Sequence, residues 1–227
     1  MSRYQINGID APSVTEIINA VFPSWMPGQF YLDRGTAIHA CAAMIAQGID
    51  FDYDPQIEGW VQGCRKFFVD MAPSVIEVEQ RVESVPFHYV GRLDLYAEIK
   101  KKTGVVDWKS GTVPMNKLCL QLAGYAIAHK DDLRWGMGIF LNEKGTYKTT
   151  GWIDLKPWKQ KFLAVRTVFG LMQEEKKERK EYDEREYARH ELSRSHNIRH
   201  ILSRGRRSSK WHGESSCLAY RDCETLS

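Results

Sequence analysis

The residues best suited to chemistry lie between Gly91 and Tyr125, in the stretch GRLDLYAEIKKKTGVVDWKSGTVPMNKLCLQLAGY. From Gly91 to Ile99, Leu93, Leu95, Ala97 and Ile99 alternate with Arg92, Asp94 and Tyr96. That period of two predicts a half-buried strand with the apolar set on one face. A polar turn at Lys100–Gly104 leads to a second short strand at Val105–Lys109, whose Asp107 and Lys109 leave the same face. If the two strands pair as a hairpin, Asp94 and Asp107 converge with Lys109 beside them. Two carboxylates and an amine on a rigid sheet edge make a site for a hard divalent cation and a water molecule.

The flanking elements must hold that site. Lys117–His129 reads as a helix on which Lys117, Gln121 and Tyr125, spaced by four, share a face. A polar helical stripe is usually a wet face; next to an Asp-x-Lys strand it is also placed to contact phosphates and a stacked base. Upstream, Val75–Val82 alternates as a strand whose polar face carries Glu77 and Glu79. Phe30–Gln47 is a helix with an apolar face at Tyr31, Ile38, Ala42 and Ile45, closed by Gly48, and it carries Arg34, Gly35 and His39. Ser13 and Glu16 have capping-box spacing before a short first helix, and Phe22–Gly28 reads as a loop. Ile57–Met71 is a helix with a core stripe of Trp60, Val61, Cys64, Phe67 and Phe68. Trp135–Leu141 and Tyr147–Ile153 read as two further strands, and Leu155–Glu175 as an amphipathic helix.

The Gly-x-x-x-His at 35–39, Glu79, Gly-Arg-Leu-Asp at 91–94, Asp-Trp-Lys at 107–109 and Gln-x-x-x-Tyr at 121–125 fall in an ordered series. Over roughly residues 10–170 this series resembles the PD-(D/E)XK nuclease superfamily. The branch it resembles is that of RecB nuclease domains, CRISPR-associated exonucleases and the mitochondrial genome-maintenance exonuclease. The resemblance implies an α/β fold with a restriction-endonuclease-like core: a central mixed β-sheet flanked by helices, with N-terminal helices closing over the active site. It implies a site in which Asp94 bridges metal, with Asp107, Glu79, His39 and the backbone carbonyl of Trp108 completing the shell. Glu77 is the competitor for the place of Glu79. Lys109 would orient the attacking water. Arg34, Arg92, Lys117, Gln121 and Tyr125 would contact DNA, a structural ion pair being the alternative for Arg92.

The implied activity is a DNA exonuclease using Mg²⁺, or Mn²⁺ given the histidine, in end processing, recombination or replication. An endonuclease or resolvase on the same core, or an inactive nucleic-acid-binding module, are the alternatives. Cys217 and Cys223 have the spacing of two iron–sulfur ligands found in some members. The Cys-x-x-Cys pair is missing, so no cluster is expected. With no phosphate-binding Gly-x-x-x-x-Gly-Lys-Ser/Thr, any motor would be separate: a helicase, or partners such as a recombinase or single-strand-binding protein.

At 227 residues the chain is long enough for one domain with a real core, and a net charge of +3 does not by itself name a partner. The expected organisation is a nuclease domain over 1–180 and a basic, poorly ordered tail over 181–227, with Arg189–Lys210 lacking a fold of its own. Five scattered cysteines fit a reducing compartment. Met1–Asn7 has no apolar core and no run is long enough for a bilayer, so a cytoplasmic protein without membrane partners is expected.

Overall fold

A computed structural model describes residues 4–23, 28–131 and 133–205, with side chains as far as 192. Its centre is a six-stranded sheet. In it β3 (Ser74–Ser84), β4 (Tyr89–Ile99), β5 (Lys102–Lys109), β6 (Trp135–Leu141) and β7 (Tyr147–Thr149) lie side by side, and β8 (Ile153–Asp154) also pairs with β6. β5 and β6 run parallel and the other pairs antiparallel, which makes the sheet mixed. A small hairpin, β1 (Tyr4–Ile6) and β2 (Ile9–Ala11), forms its own two-stranded sheet and packs Ile6 and Ala11 against Val90 of β4.

Helices cover both faces. On one, α1 (Val14–Val21), α4 (Met115–Ala128) and the start of α5 (Lys156–Gly205) pack Ile17, Leu118, Leu122 and Phe162 against Tyr89, Leu93 and Val105. On the other, α2 (Gln29–Gln47) and α3 (Glu58–Met71) pack Ile38, Trp60 and Phe67 against Leu95, Ala97, Ile99, Val106 and Trp108. This α/β arrangement is the one expected of a restriction-endonuclease-like core. The capping box at Ser13 and Glu16 forms, and Gly48 closes α2 in the left-handed conformation.

The alternation predicted for β4 is broken at one point. Leu93 joins the core under α4, whereas Leu95, Ala97 and Ile99 join the core under α2 and α3. β3 changes face at the same level, since Val82 packs with the first core and Val78 with the second. The register pairs Val78 with Leu95 and Gln80 with Leu93, so Glu79 and Asp94 face each other at the changeover. Glu79 takes a left-handed φ of 51° there, a conformation costly for a residue with a Cβ. Regular pleating cannot move a side chain from one face to the other; a local irregularity can.

Other boundaries differ from the sequence reading for identifiable reasons. The β4–β5 turn is Lys100–Lys101, both with positive φ, and Gly104 lies inside β5. A Cβ at Gly104 would stand 2.3 Å from the carbonyl oxygen of Trp135, so the glycine serves close strand approach rather than the turn. The strand expected over Tyr147–Ile153 is split into β7 and β8 around Gly151, whose φ is 66°. Tyr31, expected on the apolar face of α2, is half exposed. α4 is buried nearly all round, being enclosed by the sheet, α1 and α5.

The chain divides into two compact units, Met1–Gln173 and Glu174–Ser227. In the second, the segment expected to lack a fold is helical as far as Gly205. No proline follows Pro157, and pairs such as Arg189–Glu186 at 3.0 Å lie along the helix. Residues 206–227, with most of the Arg204–Arg207 patch and with Cys217 and Cys223, lie outside the described residues, as do residues 24–27 of the expected Phe22–Gly28 loop. Among the described residues no helix is long and apolar enough to cross a membrane.

Candidate active site

Asp94 stands where the two strands change face. Pairing between β4 and β5 ends at Leu95–Val106, and the Asp94 carboxylate takes over as the next partner. Its Oδ2 accepts from the backbone N–H of Trp108 at 2.8 Å, and its Oδ1 meets Nδ1 of His39 at 3.1 Å. In an extended strand the N–H and C=O of one residue leave the same edge, so the Trp108 carbonyl faces the same gap. The indole of Trp108 anchors this strand from the opposite direction. It is 1% exposed and meets the rings of Phe67 and Phe68 at 5.2 and 6.0 Å. Such burial contributes on the order of 2–3 kcal/mol, enough to hold the backbone of Asp107 and Lys109 in place.

His39, Glu79 and Asp94 each bring a ligand atom within 4.8 Å of the others. Burial alone would pull His39 down, but the charge and hydrogen bond of Asp94 outweigh it and bring the imidazole up to about 9. Burial, and next the Asp94 charge, pushes Glu79 up. Arg92 contacts Glu79 at 3.3 Å and offsets part of that effect, which is the ion-pair alternative. Glu77 points elsewhere. It pairs with His129 and Lys130, each at 3.0 Å, and takes no part in this cluster.

Asp107 lies beside the triad rather than in it. The side chain is 1% exposed, and burial pushes its carboxyl up to about 6. Nζ of Lys109 stands 2.6 Å from Oδ2 and partners it, whereas Oδ1 has no hydrogen-bond partner among the described residues. A native fold rarely leaves a buried carboxylate oxygen without a partner unless another group takes it up. The oxygen-rich donor set, the orphaned Oδ1 and the histidine on Asp94 fit a divalent cation.

Lys109 also donates to Oε1 of Gln121 at 2.9 Å, and Gln121 donates to the hydroxyl of Tyr125 at 2.8 Å. Tyr125 is 5% exposed, and its ring fills the space a Cβ at Gly91 would need, 2.7 Å away. It therefore has no free face for a base, contrary to the stacking expected of it, and instead fixes Gln121. Lys117 donates to Asn19 at 3.4 Å and to the carbonyl of Phe22, which ties α4 to the end of α1. The guanidinium of Arg34 lies 5.0 Å from the ring of Tyr31 and 4.6 Å from that of Trp60, and it reaches the carbonyl of Ser110 at 3.5 Å. Tyr31, Arg34, His39, Lys109, Lys117 and Gln121 line one groove of about 640 Å³.

Among solved structures, the chain is similar to an alkaline exonuclease, LHK-Exo, from Laribacter hongkongensis. Identity is 9% and the TM-score 0.38, over 74% of this chain and 94% of that one. It is likewise similar to LHK-Exo in complex with dAMP, at 11% identity and a TM-score of 0.38 over the same shares. No protein-family model and no curated protein matches the chain.

Sequence reasoning missed two features. The pair Glu77–His129 carried no motif, and nothing in the sequence marked it. The clasp between Trp60 and Arg34 had a signal, since both types commonly form cation–π pairs, but they lie on different helices.

Proposed function

We propose that this chain is a divalent-metal-dependent DNA exonuclease that hydrolyses phosphodiester bonds at DNA ends, in end processing, recombination or replication. The observation that carries the hydrolase reading is Asp107: a fully buried carboxylate next to Asp94, with Lys109 on its Oδ2 and no partner among the described residues on its Oδ1. The exonuclease reading draws on the ordered motifs from His39 to Tyr125.

Asp94, His39, Glu79 and Asp107, with the Trp108 carbonyl, would hold Mg²⁺ or Mn²⁺. A cation bound there supplies charge neutralisation at the phosphate and a more acidic water. Lys109 has three N–H groups; Gln121 accepts from one, and Oδ2 of Asp107, 2.6 Å away, from a second. The remaining donor faces the groove, where it orients the water that attacks phosphorus. The new P–O bond forms as one ester P–O bond breaks, and the departing oxygen takes a proton. Arg34 and Lys117 would lie along the phosphates of the bound strand, while Tyr125 and Gly91 act from behind by positioning Gln121. A helicase, a recombinase or a single-strand-binding protein fits as a separate partner.

End-labelled linear DNA, single- and double-stranded, tests this beside a closed circle, in Mg²⁺, Mn²⁺ or EDTA, with Asp107→Ala and Lys109→Ala in parallel. The expected result is metal-dependent loss of linear DNA alone, abolished in both variants. Cutting of the circle would give the site to an endonuclease. Binding without cleavage in any metal would make it a non-catalytic binding module.

A further inference from the structure

A second cleft, of about 750 Å³, opens beside the metal groove and shares Arg34 and the Ser110–Thr112 segment with it. Its far wall is the β6–β7 turn with Asn142 and Lys144, continued by Lys148 of β7. Glu143 is the one acidic side chain in its lining, against Arg34, Lys144 and Lys148.

Two features mark this cleft as built. The first is a pair of orphaned donors. Nε of Arg34 and Nε1 of Trp60 are both buried and lack hydrogen-bond partners among the described residues, and both residues line the cleft. Trp60 itself is only 9% exposed. A buried donor without an acceptor costs about 1–3 kcal/mol, so two in one cleft point to an acceptor that arrives from outside. The second is the rigidity of the far wall. α3 carries Gly59 and Gly63 one turn apart, and a Cβ at either would stand 1.9 Å from the carbonyl oxygen of Glu143 or 2.7 Å from that of Thr146. The helix that holds Trp60 is thus pressed directly onto the turn that holds Lys144. Asn142 braces the turn from within, donating to the hydroxyl of Thr146 at 2.7 Å and accepting from the N–H of Lys144 at 2.9 Å.

We infer that this cleft is a phosphate-backbone subsite, which carries a polynucleotide strand away from the metal site across the β6–β7 turn. A phosphodiester strand brings acceptors to this wall, which Nε of Arg34 and Nε1 of Trp60 meet through a small side-chain shift, since neither atom is open to solvent in the free chain. The charge is spread from Arg34 to Lys148 rather than gathered at one point, which suits a chain of phosphates better than a single anion. This rests on the reading of the metal groove as a nuclease site, and it names the path of the substrate beyond that groove.

The test is binding of a fluorescent 20-nucleotide single strand by the full chain, followed by anisotropy in EDTA over a series of salt concentrations. The variant Lys144→Glu/Lys148→Glu is compared with Lys100→Glu/Lys101→Glu, which makes the same charge change at the β4–β5 turn. The first should weaken binding by about tenfold or more and flatten the salt slope by roughly one to two, while the second changes far less. Trp60→Phe keeps an aromatic ring under Arg34 and removes the donor, and should weaken binding a few-fold. Unchanged melting temperature and Mn²⁺ binding in the first variant show that it is folded. Equal losses in the two charge variants, no loss in the first, or no binding by the unaltered chain each overturn the subsite. If the unaltered chain cleaves DNA while the Lys144/Lys148 variant binds normally, the subsite fails and the nuclease stands. If binding depends on the cleft but no metal supports cleavage, the nuclease reading fails and the subsite stands.

Discussion

Replacing Asp107 by asparagine should make the metal-free protein more stable and the metal-bound protein less so. The carboxylate is fully buried and raised from 3.8 to about 6, so keeping it ionised at neutral pH costs about 3 kcal/mol of folding free energy. Asparagine removes that charge but buries two amide N–H groups, each at the low end of about 1–3 kcal/mol because Asp94 lies beside them as an acceptor. The net gain is therefore about 1 kcal/mol, or roughly 2–4 °C in Tm for a chain of this size. Because the folded-state value lies above the unfolded one, the cost is fully present above about pH 6 and is gone below pH 3.8. The gap between variant and parent should accordingly be complete at pH 7.5 and close as the pH falls from 6 to 4.

Mn²⁺ should reverse the order. A ligand at a hundred times its Kd stabilises by about 2.7 kcal/mol, and the variant lacks one carboxylate to bind it. Thermal denaturation in EDTA and in Mn²⁺, at several pH values, reads all of this. A variant that melts below the parent in EDTA at pH 7.5, or that gains as much as the parent from Mn²⁺, would refute the reasoning. Asp107 would then be an ordinary core group rather than a ligand held in reserve.

Further perturbations test the rest of the frame. Glu79→Gly relieves a left-handed φ that Glu79→Ala retains, so urea denaturation should find the glycine variant about 1 kcal/mol more stable than the alanine one, with Mn²⁺ affinity reduced in both. Gly91→Ala drives a Cβ into the Tyr125 ring, and should cost about 1–3 kcal/mol and slow cleavage through Gln121 and Lys109; an unchanged Tm and rate would remove Tyr125 from the chain of positioning contacts. The His129 hydrogen bond, followed by that of Lys130, holds Glu77 low. Its stabilisation is therefore present above pH 4.5 and is lost as the pH falls through the depressed value. Glu77→Gln should be less stable than the parent by about 1–2 kcal/mol at pH 7, with the two converging in acid; a constant difference would count against the pair. His39, raised to about 9, is protonated at pH 7, so Mn²⁺ binding should release about one proton, read by calorimetry in buffers of different ionisation enthalpy. No buffer dependence would exclude His39 as a ligand.

What the sequence made legible was set by periodicity. The strand runs around Asp94 and Asp107, the stripe of α3 and the caps of α1 and α2 are local signals, and each lies where local rules place it. The order of motifs then brought His39, Glu79 and Asp94 into one list, and the fold brings their ligand atoms together. What escaped was tertiary. Tyr125 looked like part of a wet stripe because its spacing from Lys117 and Gln121 is helical, but Gly91, from another element, leaves a hole that its ring fills. Gly104 looked like a turn residue because glycine commonly is one, and only the parallel neighbour Trp135 explains it.

The face change at Glu79 and Asp94 shows why the site resists a reading by strict alternation. On a regular strand Asp94 would point wholly toward α2 or wholly toward α4, and its carboxylate would not serve both His39 and the backbone of β5. Because both strands cross over at this level, one oxygen of Asp94 reaches the histidine of α2 while the other binds the backbone of β5. The irregularity has a conformational cost, visible in the positive φ of Glu79. That cost falls on a residue whose carboxylate belongs to the same cluster. Strain at Glu79 and a buried acid with an unpartnered oxygen at Asp107 occur within two adjacent strand pairs. A core selected for stability alone would remove both, with glycine at 79 and asparagine at 107. The proposed cation would bind the folded chain and offset both costs at once, taking the place of the proton that Asp94 holds on His39.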